Sequence, residues 1–553
     1  MPPSLAFGLI IALSGILSHS TIGLSASQAA SVTVCPQGPP VCNFNSIQAA
    51  VDIAGNGDII KVAAGTYTDL HVRPRNDILT TGVVTQIVYL NKSVTIRGGY
   101  TAPNFTDPPN PSVNLTILDV QHQGRGLYIA GALSATLEGV QITGGDAARQ
   151  GGDPFSPTSD AGGGIYIITA TVTLSNNRVF SNTAIEIGGG LLLYRANATL
   201  VGNMIQDNTV TGHAALGCCS GGGLIAHSST VTLIDNVISN NSAQDVGGVS
   251  IGFGNVTLVG NTVSGNGGGW NTSGGALLYG AGYDALLVDN TFIGNGGPRC
   301  SGLYIWYINA TLLSNTFTGN AGGGACLYYV SDAELIRNTF TGNTGYTYDG
   351  SGGLKMEYSQ AALTGNTITG NTANMGGGVY IFNSASLLTN NVIANNQSAW
   401  YGSGLSVSDS SVQLLHNTIV SNTGGDGSGI SIQGNSSASF TNTILVSHTV
   451  GISVATSSTA ALTGILWFSN GTNLAGAGFI TATQSIIGDP LFAIDGYHIL
   501  SGSAAIDAGV NAQVTTDIDP QPRPYQVPDL GADEFWPPDA LKQAYLPLLL
   551  KSR

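Results

Sequence analysis

Asn315-Thr316-Phe317-Thr318-Gly319-Asn320 is one copy of a phrase that this chain restates roughly every 25 residues between about residues 165 and 425. Its first Asn recurs at Asn177, Asn203, Asn236, Asn261, Asn290, Asn315, Asn338, Asn366, Asn390 and Asn417, at spacings of 23 to 33 residues. Two positions later stand Val179, Ile205, Ile238, Val263, Phe292, Phe317, Phe340, Ile368, Val392 and Ile419. All are β-branched or Phe, as a strand side chain stacked in a core requires. A second Asn follows five positions after the first, from Asn182 to Asn422. A unit this short cannot bury an apolar face by itself. It must stack on its neighbours, so the chain is a solenoid.

Each copy opens with glycines and an aliphatic alternation, as in Gly162-Gly163-Gly164-Ile165-Tyr166-Ile167. The first and third positions of that alternation are apolar throughout, as in Leu191 and Leu193 or Leu303 and Ile305. The second and fourth are mixed and should face out. Three short strands per repeat make one triangular coil, with coils about 4.8 Å apart. The expected fold is all-β: a right-handed parallel β-helix of about fourteen coils, roughly 65–70 Å long. The repeated Asn side chains suit turns and can bond one another up the axis as a ladder.

The pattern resembles the right-handed parallel β-helix proteins of the pectin-lyase-like superfamily. More narrowly it is similar to the repeats of bacterial polymorphic outer-membrane proteins, marked by GGA[ILV] and FxxN. Here those are Gly274-Gly275-Ala276-Leu277, and Phe292 to Asn295, Phe317 to Asn320 and Phe340 to Asn343. The resemblance covers about half the chain. It implies the fold, but its members include lyases, hydrolases, esterases, adhesins and epimerases.

Composition narrows the partners. Net charge is −15, with only 16 Lys and Arg, so nucleic acid and anionic membranes are excluded as partners. Residues 1–30 read as a signal peptide, apolar from Leu5 to about Leu17 and cleaved near Ala29 or Ala30, and no other segment spans a bilayer. A secreted or cell-surface bacterial monomer is expected. Six Cys fit export. Cys35 and Cys42 bracket a short loop and should pair. Cys300 and Cys326 fall at equivalent places in adjacent coils and should pair too. Cys218 and Cys219 are either a vicinal bridge or two free thiols.

Around the repeats (161–470) lie an N-terminal cap with first coils (31–145), a loop (146–160), last coils with a C-terminal cap (471–536) and a tail (537–553). Ser46 can N-cap a short helix burying Ile47, Val51 and Ala54. This entry segment resembles that of pectin methylesterases, where a helix covers the first coil. The segment Ala505-Ile506-Asp507-Ala508-Gly509 to Asp529-Leu530-Gly531-Ala532-Asp533-Glu534-Phe535 is similar to the C-terminal part of secreted choice-of-anchor proteins. Its acids are turn residues, with Asp517 and Asp519 as weak calcium candidates and no other cofactor. The apolar, then basic tail looks like a sorting or attachment signal.

The outward positions form a strip: Tyr166, Tyr194, His227, Tyr279, Tyr304, Trp306, Tyr328, Lys355, Glu357, Tyr380 and Phe382. Its aromatic members are candidates for stacking on sugar rings along a long polymer. Lys355 and Glu357 are the charged pair of the strip, and His227 lies several coils away. The sequence therefore favours a non-catalytic protein that binds glycans or surface polymers, or an adhesin-like scaffold. The alternative is a polysaccharide lyase or glycoside hydrolase using Glu357 and Lys355, with Asp349 or Asp332.

Overall fold

The Asn phrase sets the path of the chain. In the computed structural model, each copy closes one turn of a parallel β-solenoid of about 16 turns. The structure describes residues 29–75, 77–79, 81–154, 156, 159–212, 220–269, 273–345 and 351–537. At about 4.8 Å per turn the rod is roughly 75 Å long. The repeats gave about fourteen coils. The rest lie where the phrase is missing, in strands such as Ile59–Ala63, Thr459–Phe468 and Phe479–Ile487.

The first strand of each turn joins a sixteen-stranded sheet that runs from His71–Pro74 to Thr472–Ala475. Neighbours are parallel and in register, so Leu303, Ala325 and Leu354 stack in one column and Trp306, Tyr328 and Glu357 in another. The opening hairpin, His71–Pro74 against Val83–Leu90, is antiparallel. The second and third strands of each turn build a thirty-stranded sheet around the rest of the rod. Inside, one apolar cluster runs from Val32 to Trp467. Phe292, Phe317 and Phe340 stack within it at 5.0 and 4.7 Å.

The Asn residues form two buried ladders. Asn290 Nδ2 donates to Asn315 Oδ1 at 2.9 Å and to the Leu258 carbonyl at 2.8 Å. The same Asn315 oxygen accepts the Asn290 backbone N–H at 3.0 Å. Each side chain thus satisfies backbone groups that the turn strands inside the core. In one coil the sequence reading was a residue early. The ladders pass through Asn391 and Asn396, with Ile393 pointing inward. Asn390 turns outward at φ 54° and Val392 packs under Ile518 and Ala532. Consecutive Asn residues cannot be told apart by spacing alone.

Helix Ile47–Ile53 covers the first turn, with Ser46 Oγ accepting the Ala49 N–H at 3.3 Å and Ile47, Val51 and Ala54 buried. The C-terminal segment behaves differently from the expected end cap. Residues 488–537 fold back along the side of the rod, over the corner holding Asn390, His416 and Asn442. Asn442 brackets Val510 with bonds of 2.9 and 2.6 Å, and Thr418 Oγ1 accepts the Ala532 N–H at 2.9 Å. Leu530 sits among Ile444, Val446 and Leu466, which gives the segment an apolar seat on the flank. Among the described residues the last strand stays open, with Phe479 at 68% and Ile487 at 83% exposure.

Candidate functional site

The outward strip resolves into two parallel rows, and much of it is covered. Tyr166 is fully buried. Its ring stacks on Tyr128 at 5.2 Å, Arg125 lies 4.7 Å over its face, and its hydroxyl donates to the Gly152 carbonyl at 3.2 Å. Burial pushes that hydroxyl far above its ordinary range and lowers the Arg125 guanidinium to about 10. The loop carrying Gly152 folds over the strip here, which alternation cannot reveal. Tyr166 is therefore corrected from a ligand-facing residue to a packing one.

Tyr194, His227, Phe253 and Tyr279 pack on one another at 4.9 to 6.4 Å. Burial, then Arg195, lowers the His227 imidazole to about 4, so it is neutral at physiological pH. Four strands lie between it and Glu357, five intervals or about 24 Å at the turn spacing. Tyr380 is also nearly covered, stacked on Phe382. Lys355 and Glu357 pair at 3.1 Å, both largely shielded.

Tyr304, Trp306, Tyr328 and Phe382 are partly exposed, and beside them lies a feature the alternation missed. The residue after each strand turns the corner in a left-handed conformation. In three successive coils it is Tyr307 (φ 59°), Tyr329 (φ 54°) and Tyr358 (φ 51°). Their rings stack at 4.9 and 4.7 Å and are 45%, 37% and 41% exposed. Stacked along the rod, they show edges and hydroxyls to solvent. Tyr328 stands at 86° to Tyr358, and Phe382 at 84° to it. Period two ends at the fourth position, so a fifth outward residue escapes it. The usable signal was an aromatic directly after the strand in three consecutive repeats.

This corner opens onto a groove. A cleft of about 430 Å³ beside Tyr358, Asn383 and Asp409 shares Gln360 and Ala385 with a second of about 610 Å³. That one shares Asp332 and Glu334 with a third, of about 280 Å³, reaching Asp284 and Asn309. The floor is the outer face of the second strands, small and polar at Ser411, Gln413, Ser437 and Ser439. Asp332 thus belongs to this groove with Glu334, around the corner from Lys355 and Glu357. Asp349 lies outside the described residues.

Disulfides join Cys35 to Cys42 and Cys300 to Cys326. Cys218 and Cys219 lie outside the described residues. Of the calcium candidates, Asp517 is committed to the backbone, its Oδ1 accepting Asp519 N–H at 3.0 Å and Gln521 N–H at 2.7 Å. Asp519 meets His498 and Asp533 in a group whose ligand atoms lie within 4.8 Å of one another, a set able to hold a cation. His498 also bonds Asp495 at 2.5 Å. Asp519, then Asp495, raise its imidazole to about 9 against the opposing effect of burial.

With parallel turns, inward ladders and an outer groove in place, a match to a known family bears on the fold. A family model described as the right handed beta helix region matches residues 111–306 and 301–464. The chain belongs to this right-handed β-helix family. No curated protein matches the sequence. Among solved structures, pectate lyase Pel9A is similar at 12% identity, covering 92% of this chain and 97% of its own, with a TM-score of 0.22. The periplasmic alginate epimerase AlgG is similar at 9% identity over 72% of this chain and 78% of its own, TM-score 0.26. PfbA, a surface adhesin of Streptococcus pneumoniae, is similar at 12% identity over 83% of this chain and 93% of its own, TM-score 0.24. The family match is what assigns the fold. Among the described residues, no helix of this β-helix protein is long and apolar enough to cross a membrane.

Proposed function

We propose that this protein is a non-catalytic polymer-binding β-helix, which holds a glycan along the tyrosine corner and the adjoining groove and acts outside the cytoplasm. The observation that carries this reading is the trio Tyr307, Tyr329 and Tyr358. The same corner position holds Asn383 and Asp409 in the next coils, residue types that adopt left-handed angles more readily. A bulky, exposed ring there is locally unfavourable, and unfavourable backbone choices concentrate at functional sites. With Trp306, Tyr328 and Phe382 alongside, the patch offers apolar faces and hydroxyl edges together, the chemistry that meets sugar rings. The disulfides suit an oxidising compartment.

Tyr307→Asn, Tyr329→Asn and Tyr358→Asn together test it. Asn fits the corner, so circular dichroism and melting temperature should change little, while retention on a panel of plant, algal and bacterial polysaccharides should fall at least tenfold. Retention equal to the parent would remove the reading. A hydrolase or lyase reading draws on Asp332, just before the strand Ala333–Ile336, and Glu334 on it, both exposed and lining the same cleft. It predicts soluble oligosaccharides from the same panel by mass spectrometry, lost in Glu334→Gln.

A further inference from the structure

Resting on that polymer-binding reading, we propose that the groove selects polysaccharides bearing protonated amines, and rejects uronate polymers. The residues lining its three clefts include Asp284, Asp332, Glu334 and Asp409 and contain no Lys or Arg. None of the four carboxylates has an ion-pair partner among the described residues. Asp284 accepts only a long bond, 3.4 Å, from Asn309 Nδ2. The pairing of coils fixes their spacing. Asp284 and Asn309 are in register, and Ala310 pairs with Ala333, which puts Asp332 in the same column two turns from Asp284. Asp409 stands two turns beyond Tyr358 in the corner column. Each interval is roughly 10 Å. Lys355, on the neighbouring face, is turned onto Glu357.

Such a groove meets a polyanion with repulsion, reinforced by the net charge of −15 on the chain. It meets a row of ammonium groups with charge complementarity in the groove and tyrosine hydroxyls, able to accept their hydrogen bonds, on the wall. A polymer of β-linked glucosamine has that chemistry. Its N-acetylated parent has the same backbone without the charge, and polygalacturonate carries the opposite charge.

Affinity of the full chain for these three polymers, measured by isothermal titration or immobilised-polymer retention at 50 and 500 mM salt, tests the proposal. The amine polymer should bind at least tenfold tighter than the acetylated one at low salt and lose that advantage at high salt. Polygalacturonate should not bind. Asp332→Asn/Glu334→Gln should lower affinity for the amine polymer about fivefold or more, and leave the acetylated polymer unaffected. Equal binding of the amine and acetylated polymers, or preference for polygalacturonate, overturns the charge selection. In that case, loss of binding in the Tyr307, Tyr329 and Tyr358 variant would still uphold the polymer site. Binding of all three polymers that ignores both sets of substitutions overturns both.

Discussion

Each Asn of the ladders does what neither neighbour nor water can do inside the rod. Asn295 Oδ1 accepts the Asn266 backbone N–H at 3.1 Å and its side chain at 3.0 Å. Its Nδ2 donates to the Val263 carbonyl at 2.9 Å and to Asn320 at 3.0 Å. Asn295→Ala leaves the Asn266 N–H and the Val263 carbonyl buried without partners. At about 1–3 kcal/mol for each stranded group, the loss should be about 3 kcal/mol or more, read from denaturant unfolding. Loss under 1 kcal/mol would show that water enters the corner. These residues were legible because their spacing and their inward partner recur together. The tyrosines at 307, 329 and 358 were not, because they stand where the period-two rule has ended. Tyr166 was misread for another reason: its row faces out as expected, but a loop distant in sequence covers it.

At the scale of elements, the strand-bearing turns follow from the repeat, whereas the C-terminal segment is irregular and its seat depends on contacts across more than a hundred residues. Arg523 anchors it. Fully buried, its guanidinium donates to the carbonyls of Asp529 and Gly531 at 3.1 Å and of Ala532 at 3.0 Å, and pairs with Glu534 at 3.4 Å. Beneath it lies His416. Asn442, its amide oriented by Val510, lies 2.9 Å from Nε2, while Nδ1 meets the Arg523 guanidinium and lies 3.1 Å from the Asp529 carbonyl. Burial, then Arg523, lowers this imidazole to about 2. A depressed value means that docking is favoured above the free histidine value and weakens as pH falls below it. Between pH 8 and pH 5 the docked segment should lose about 2 kcal/mol through His416. His416→Gln keeps one donor and one acceptor without the titration, so its stability relative to the parent should improve by that amount at pH 5. Asp529 is raised to about 7 by burial, and its contribution is lost as pH rises from about 4 to 7. Both proteins share that change, so it cancels in the comparison. Protease resistance of residues 488–537 in the two proteins gives the measurement, and an unchanged difference across the range would refute the assignment.

The whole molecule is a stack in which a turn touches only the turns beside it, and its stability is close to a sum over rungs and interfaces. That is why a single phrase revealed so much of the architecture. The number of turns was underestimated because terminal rungs replace the Asn corner by long strands such as Ser437–Val446 and Thr459–Phe468, paired over nearly their whole length. The groove was hidden for a related reason. Its carboxylates are ordinary outward residues on or beside the second strands and at the corner, and only the stacking of coils puts Asp284, Asp332 and Glu334 along one channel. The same additivity makes a sharp prediction. Val237 pairs with Thr262 and Asn236 bonds Asn261, so residues 237–261 are one complete turn. Deleting them joins Asn236 to Thr262 and presents each remaining strand to a partner of the same facing. The product should fold, with an unchanged β spectrum and a melting temperature within several degrees of the parent. Deleting only residues 237–248 removes about half a turn. It sends apolar side chains to solvent and interrupts both Asn ladders, so the chain should be insoluble or unfolded. If both deletions were tolerated equally, the coils would not be the independent, phase-locked units that the repeat requires.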